Sequence, residues 1–439
     1  MRPAMTTKHR DLTRREFLET TAAATAAVAL PHHLAVDAGS DKKIRIGLIG
    51  CGGRGTGAAK DCLTAAEDVE LVALGDLFPD HVAKCRESLA RMITEDATLK
   101  PKIRVEDSRC FVGFDAYRRV IASKVDLILL ATPPAFRPQH LAAAIEAGKH
   151  VFMEKPVAVD PAGVRSVIAT SERAAEQGLA IVAGTQRRHD IGYQAVMQRI
   201  HDGAIGDVVS GQVYWNQGGL WMHQRRPEWS DVEWQVRNWL YFTWLSGDHI
   251  VEQHIHNLDV ANWALGAHPV RAVGVGGRQC RTDPAYGHIY DHFAVDFEYP
   301  NGAHVLSMCR QIDGTAHRVG ERFVGTRGSS DGNSVIEGAA PWRLDPQMPK
   351  PNPYVQEHAD LIASIRRRTP LNEGRQVAET TLTAIMGREA AYTGQVIVWE
   401  ELLASEQELV PPDLSLGPMP VAPVAMPGHT PIARNWRGA

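Results

Sequence analysis

The sequence predicts an α/β protein with two folded parts. A doubly wound parallel sheet comes first, followed by an α+β domain with an open, mainly antiparallel sheet. Three observations carry this reading. An apolar stretch ends in Gly50, Gly52 and Gly55 at G-x-G-x-x-G spacing. Short apolar runs then alternate with helical periods as far as Gly184. Beyond Val208 the chain changes to alternating stretches set between helices.

The bulk numbers exclude several classes. At 439 residues the chain has room for two or three domains. A net charge of -4 gives no reason to expect nucleic acid or an anionic lipid surface. No apolar run is long enough for stable membrane insertion. The six cysteines form no C-x-x-C pair and no zinc spacing; their even number permits disulfides without requiring them, and most read as buried small hydrophobes.

Thr13-Arg14-Arg15-Glu16-Phe17-Leu18 reads as a twin-arginine signal, with the Ala-rich Thr21–Leu30 as its apolar region. Residues 1–38 are therefore expected to be a signal peptide, and the mature protein periplasmic or secreted. That route resembles the system that exports proteins already folded, so a cofactor could be loaded before export. Folding in a reducing compartment also argues against disulfides.

Residues 39–185 form the expected dinucleotide-binding Rossmann domain. Ile44 to Leu48 reads as a buried strand. Gly50 permits the sharp turn after it, Gly52 lets a pyrophosphate approach the backbone, and Gly55 lets a helix pack on the strand. Gly53 and Arg54 complete the loop. A second strand, Val69–Gly75, ends in Asp76, 21 residues past Gly55. A carboxylate there takes a ribose 2′-hydroxyl and repels a 2′-phosphate, so NAD is expected over NADP. The competing reading is a glycine-rich turn without a ligand. Pro79–Met92, Asp115–Ser123, Ala135–Gly148 and Asp160–Gln177 read as helices. Val125–Ala131, His150–Met153 and Leu179–Gly184 read as strands. Gly50, Asp76, Thr132 and Glu154 thus fall at strand ends, where such a sheet gathers its ligands.

The residues at those ends carry a resemblance. Gly50-Cys51-Gly52-Gly53-Arg54-Gly55, Ala131-Thr132-Pro133-Pro134 with His140, and Glu154-Lys155-Pro156 resemble the Gfo/Idh/MocA oxidoreductases from Ile44 to about Leu403. The resemblance implies that Thr132, Pro133, Pro134, His140, Glu154 and Lys155 border the cofactor. It also implies that Lys155 lies beside the nicotinamide and the reacting oxygen, where an ammonium can polarise a carbonyl or steady an alkoxide.

Residues 186–405 form the expected substrate-binding and oligomerisation domain. Val208–Gln217 reads as its first strand. Six of the ten tryptophans then lie within 30 residues, either as a carbohydrate cleft or as an aromatic core. Asp248–Leu265 reads as one helix, with His249, Glu252, His256 and Asp259 in a single stripe. Such a stripe suits acid–base work, with Glu252 orienting the His256 ring. Members of the family show Asp-x-x-x-His here, so His256 matches the proton-abstracting histidine and Glu252 replaces the aspartate. His254 falls on the apolar side and reads as a core histidine. His254 and His256 point about 200° apart and the H-E-x-x-H order is absent, so no metal is expected. Arg187 and Asp259 join His256 as candidate substrate ligands. Val270–Gly276, His292–Tyr299, Ala303–Cys309 and a strand from Glu321 build the second sheet. An open sheet needs covering and relatives pair through it, so a homo-oligomer is expected. Residues 406–439 read as a Pro-rich tail, disordered or crossing to a neighbouring subunit.

Together these readings predict an NAD(H)-dependent carbohydrate oxidoreductase with Lys155, His256 and Glu252 as its catalytic group. The alternative is an NAD-dependent glycosidase working by transient oxidation, elimination, hydration and re-reduction.

Overall fold

The computed structural model describes residues 42–431. The expected signal peptide lies outside the described residues. The first sheet has six parallel strands: β1 (Ile44–Ile49), β2 (Val69–Asp76), β3 (Cys110–Val112), β4 (Leu127–Leu130), β5 (His150–Met153) and β6 (Ile181–Ala183). Their order is β3-β2-β1-β4-β5-β6. The order reverses beside β1, and a doubly wound sheet binds its ligand at that crevice. Helices α1 (Gly53–Ala65), α2 (Pro79–Glu95), α3 (Ala116–Ile121), α4 (Arg137–Glu146) and α5 (Pro161–Glu176) connect the strands. The strands are mostly apolar because both faces are covered; Ile46, Leu48, Leu127 and Leu129 have no exposed surface.

The turn after β1 needs its glycines. Gly50 has φ +98°, and a Cβ there would meet the Ala131 carbonyl carbon at 2.6 Å. A Cβ on Gly55 would lie 1.8 Å from the Gly50 oxygen. Helix α1 can start on top of the strand only because both side chains are missing. It begins at Gly53, five residues before the first residue its apolar period marks, Ala58. Gly53, Gly55 and Gly57 have poor helix propensity, and the packing of the turn overrides it.

The second sheet has nine strands in the order β14-β13-β12-β11-β7-β10-β9-β8-β15. They are β7 (Val208–Gln217), β8 (Arg271–Gly277), β9 (His292–Glu298), β10 (His304–Gln311), β11 (Arg318–Gly325), β12 (Gly328–Ser330), β13 (Val335–Gly338), β14 (Trp342–Arg343) and β15 (Ile397–Val398). Only β7 and β10 run parallel. Helices α6 (Ile191–His201), α7 (Asp231–Arg237), α8 (Thr243–Ser246), α9 (His249–Glu252), α10 (Ile255–Leu265), α11 (Pro353–Arg366), α12 (Gly374–Thr393) and α13 (Trp399–Leu403) complete the chain. Helices α10 and α12 cover one face of this sheet. Val273, Val275 and Leu306 are exposed on strands β8 and β10.

Three expectations change. The segment 248–265 is two helices, α9 and α10, broken at Gln253 and His254. No glycine or proline marks the break. His254 is fully buried with its Nε2 2.7 Å from Ser307 Oγ, and that contact with β10 fixes the bend. The tryptophan stretch, which its sequence leaves open between cleft and core, divides: Trp234 and Trp244 are buried with Phe78, Ala135 and Val159, Trp229 and Trp239 pack against them, and Trp221 is exposed. Finally, the described part of the tail runs over its own chain. Asp160 and Asp231 accept hydrogen bonds from Leu409 N and Met419 N, anchoring the backbone despite its lack of periodicity.

Candidate active site

The crevice collects the ends of β1, β2, β4 and β5. Gly52 and Gly53 face open space, with nothing within 4 Å of a Cβ built on either. The Gly52 cap brings no side chain to the first N–H groups of α1. This is a cradle that fits a pyrophosphate. Asp76 sits beside it and accepts hydrogen bonds from Cys51 N at 2.7 Å and Phe78 N at 3.0 Å. His81 Nδ1 lies 3.1 Å from the same carboxylate. A carboxylate has about four acceptor sites, so Asp76 fastens the glycine turn and keeps room for a hydroxyl. Asp76, Thr132 and His140 line a cavity of about 570 Å³, within the usual size of a ligand pocket. Thr132 Oγ1 and His140 Nδ1 are 3.3 Å apart, and the His140 ring stacks on Tyr117. Burial lowers His140 to about 3, so the ring is neutral. Pro133 and Pro134 shape the turn that leads from β4 towards α4.

Arg54, at the start of α1, is held by acids. It pairs with Glu154, Asp61 and Glu357, and it stacks on Tyr354. Burial opposes its charge, but the acids outweigh burial and raise its pKa. Glu357 is fully buried, and burial pushes its carboxyl well up.

Lys155 follows β5 and reaches across to the second domain. Its Nζ donates to the Glu252 carbonyl at 2.7 Å and to Glu252 Oε1 at 3.1 Å. The helix break makes this possible. His256 N bonds to Gln253 O, so it does not close an α-helical bond to the Glu252 carbonyl. Glu252 therefore positions Lys155; among the described residues no hydrogen bond joins it to His256.

His256 is buried and stacks on Trp215 at 5.7 Å. Burial holds its pKa well below the ordinary value, and the nearby Lys155, Arg187 and Arg54 charges lower it further. The ring is neutral and can take a proton. Arg187 lies over the other partner of this stack, with its guanidinium 5.7 Å from the Trp215 ring. It is paired with buried Glu321, which also receives Asn257 Nδ2 and Tyr193 OH.

Two residues of the expected stripe leave the site. His249 packs against Phe293 and lies 3.0 Å from Asp248 Oδ1. Asp259 is 1 % exposed and holds Arg188 with both oxygens, at 2.8 and 2.9 Å. Thr380 Oγ1 donates to it as well. Asp259 is a buried clamp and has no surface for a substrate. Their grouping holds only on a straight helix, and the chain is interrupted at Gln253 and His254. Trp215 and Glu321 were missed as site residues. Trp215 follows Val213 by two on β7, which puts both on one face; that was the available signal. Among the described residues no group of three His, Cys, Asp or Glu could hold a metal.

Residues 44–183 match the model of an oxidoreductase family with an NAD-binding Rossmann fold, and residues 193–331 match the GFO/IDH/MocA C-terminal domain. The chain belongs to the Gfo/Idh/MocA family. An inositol 2-dehydrogenase from Serratia proteamaculans is 28% identical over 60% of this chain and 66% of its own length. A 2,7-anhydro-N-acetylneuraminate hydratase from Escherichia coli is 27% identical over 50% of this chain and 54% of its own. The chain thus spans about half to two thirds of the curated relatives it matches. Among solved structures, scyllo-inositol dehydrogenase from Lactobacillus casei with bound NAD(H) and scyllo-inositol shares the fold. The match has a TM-score of 0.61 and 18% identity, and it covers 82% of this chain and all of that one. In this Gfo/Idh/MocA protein the cradle, Asp76 and the adjoining cavity fit the NAD that the family model names.

The buried histidines predict an acid-sensitive fold. Burial lowers His140, His254 and His358 to about 3, and His288 to about 4. Below the unfolded value of about 6.5 the unfolded chain binds protons that these sites refuse, so stability falls with pH. Urea midpoints are expected to drop from about pH 6.5 down to pH 4. In His358→Leu the slope of unfolding free energy should shrink by about 1.4 kcal/mol per pH unit in that window. An unchanged slope would show that His358 takes up its proton in the native state.

Proposed function

We propose that this protein is an NAD(H)-dependent carbohydrate oxidoreductase acting on a secondary hydroxyl of a sugar, sugar acid or glycoside. The observation that carries the reading is a lysine held by Glu252 in a site that also holds His256, buried and neutral. Bound NAD supplies the hydride acceptor. His256 takes the hydroxyl proton, and its neutral form is the one that can. Lys155 turns its ammonium on the same oxygen and stabilises the charge that develops there. Glu252 keeps that ammonium aimed, acting as a positioning residue. Trp215 excludes water from one face of the imidazole. The inositol 2-dehydrogenase relatives support hydride transfer at a polyol carbon. The hydrolytic alternative uses the same residues and is distinguished by its products.

Lys155→Ala and His256→Ala should each lower kcat by about 10²- to 10⁴-fold. Binding of NADH, followed by fluorescence, should persist in both variants. Turnover at the wild-type rate in either one would remove the mechanism. Aglycone release from aryl glycosides without net NADH would move the assignment to the glycosidase.

We also infer folded export through the twin-arginine route, on the strength of Arg14-Arg15 and the Ala-rich segment after them. A reporter fused to residues 1–38 should reach the periplasm and stay in the cytoplasm when both arginines become lysine. A reporter exported equally well without them would end that reading.

A homo-oligomer is supported by the uncovered valines and leucine on β8 and β10. Light scattering should give a multiple of the protomer mass, reduced by Val275→Lys with Leu306→Lys. A monomeric wild type would refute it.

A further inference from the structure

The cavity beside Asp76 has a wall that comes from the far end of the chain. Val410, Pro411, Pro412 and Leu414 line it together with Asp76 and His140. This segment lies beyond residue 331, where the match to the family's C-terminal domain stops.

The segment is pinned at both ends to different parts of the protein. On one side Arg165 Nη1 donates to the carbonyls of Leu403 and Ser405, at 2.6 and 2.7 Å. Leu409 N donates to Asp160 Oδ2 at 2.8 Å; Asp160 is buried and also caps α5. On the other side Val232 N donates to the Gly417 carbonyl at 3.1 Å. Met419 N donates to Asp231 Oδ2 at 3.0 Å, and Gln235 Nε2 donates to the Met419 carbonyl at 2.9 Å. One anchor is therefore α5 of the dinucleotide domain, and the other is α7 of the aromatic module. Between them the chain passes the cavity. Leu409, Val410 and Leu414 pack against the cluster of Phe78, Ala135 and Val159.

The local chemistry suits a stiff span. Pro411 and Pro412 have fixed φ and no N–H to satisfy, so the chain there is extended before it docks and loses little entropy on docking. A carboxylate at the end of β2 marks the adenosine ribose in a doubly wound sheet, so the cavity at Asp76 is the adenosine end of the cofactor site.

We propose that residues 409–417 are a strap that closes the adenosine end of the NAD site and sets the rate at which NAD(H) exchanges. The proposal rests on NAD occupying this crevice. With the strap seated, the adenosine is bounded by strand ends on one side and by Val410–Leu414 on another. Exchange then requires the strap to lift from Asp160 or from Asp231. Retention comes from backbone anchors outside the cavity, and substrate can enter at Lys155 and His256 while the strap stays down.

The test is the release of bound NADH from the full-length protein, chased with excess NAD⁺ and followed by energy transfer from tryptophan. Pro411→Gly with Pro412→Gly keeps both anchors and softens the span. Val410→Ala with Leu414→Ala removes the cavity wall. Each pair should speed release at least tenfold. Hydrogen exchange on the unaltered protein gives a second reading: added NADH should slow exchange of the Val410, Asp413 and Leu414 amides. Release within twofold of wild type in folded variants, or amide exchange that ignores NADH, would overturn the strap. Failure of the wild type to bind NADH at all would instead overturn the placement of NAD in the crevice.

Discussion

The site depends on a carbonyl that a straight helix would have used. At Gln253 and His254 the helix bends, and the Glu252 carbonyl is released from its helical partner. Lys155 takes that carbonyl and the Glu252 carboxylate together. The pair bridges the two domains at the point where chemistry is proposed to occur. A long, flexible lysine side chain has much rotamer freedom to lose. Two acceptors on one residue fix it more firmly than a lone surface carboxylate would, and both partners are nearly buried. The bend is therefore part of the site, and His254 holds it through Ser307 without touching the substrate space itself.

Cations surround His256, and each one is matched by an acid set behind it. Arg187 has Glu321, Arg54 has Glu154 and Glu357, and Lys155 has Glu252. Without these acids the largely buried Lys155 and Arg187 would face each other unpaired, which is strongly destabilising. Burial keeps the imidazole neutral, and with the acids in place the positive ends stay close enough to lower its pKa further. The arrangement separates two tasks. Lysine and arginines set the field around the imidazole, and the acids keep that field compatible with a folded protein. His189 extends the same logic: burial opposes its charge, yet Glu373 and Asp360 raise it to about 10. It sits next in sequence to Arg188, which holds Asp259, so the loop after β6 is fixed by ion pairs on both sides.

The first domain was readable because its signals are local. The glycine turn, the apolar runs and the acid at position 76 each follow from a few adjacent residues, and the resemblance at Glu154-Lys155-Pro156 pointed to Lys155. Strand β3 and strands β12 to β15 were not readable: each has only two to four residues, too few for a period to register. The candidate catalytic helix failed for a different reason. Its sequence is continuous, and at the bend His254 is tied to a distant strand. Once bent, the stripe of His249, Glu252, His256 and Asp259 separates, and a reading based on 3.6 residues per turn loses two of the four. Glu252 kept its place in the site but changed its partner. No feature of the sequence tells whether a glutamate four residues from a histidine will orient it or turn to a lysine 97 positions away.

Arg388 shows how these parts are held to one another. It lies on α12, fully buried, with Glu389 beside it to neutralise the charge. Its Nη1 donates to the Val159 carbonyl at 2.8 Å and to the Gly247 carbonyl at 3.3 Å. Its Nη2 reaches Gln407 Oε1 at 3.4 Å. Val159 lies just after the lysine motif, Gly247 just before α9, and Gln407 at the root of the strap. A buried guanidinium must satisfy its donors or lose several kcal/mol, roughly the margin by which a domain is stable. The three segments therefore cannot shift independently: any one that moves leaves Arg388 with an unpaired donor. Lysine, catalytic helix and strap root are thus fixed to one helix of the second domain. The same helix covers the sheet that carries Trp215, so the frame of the cofactor site and the frame of the substrate site are one piece.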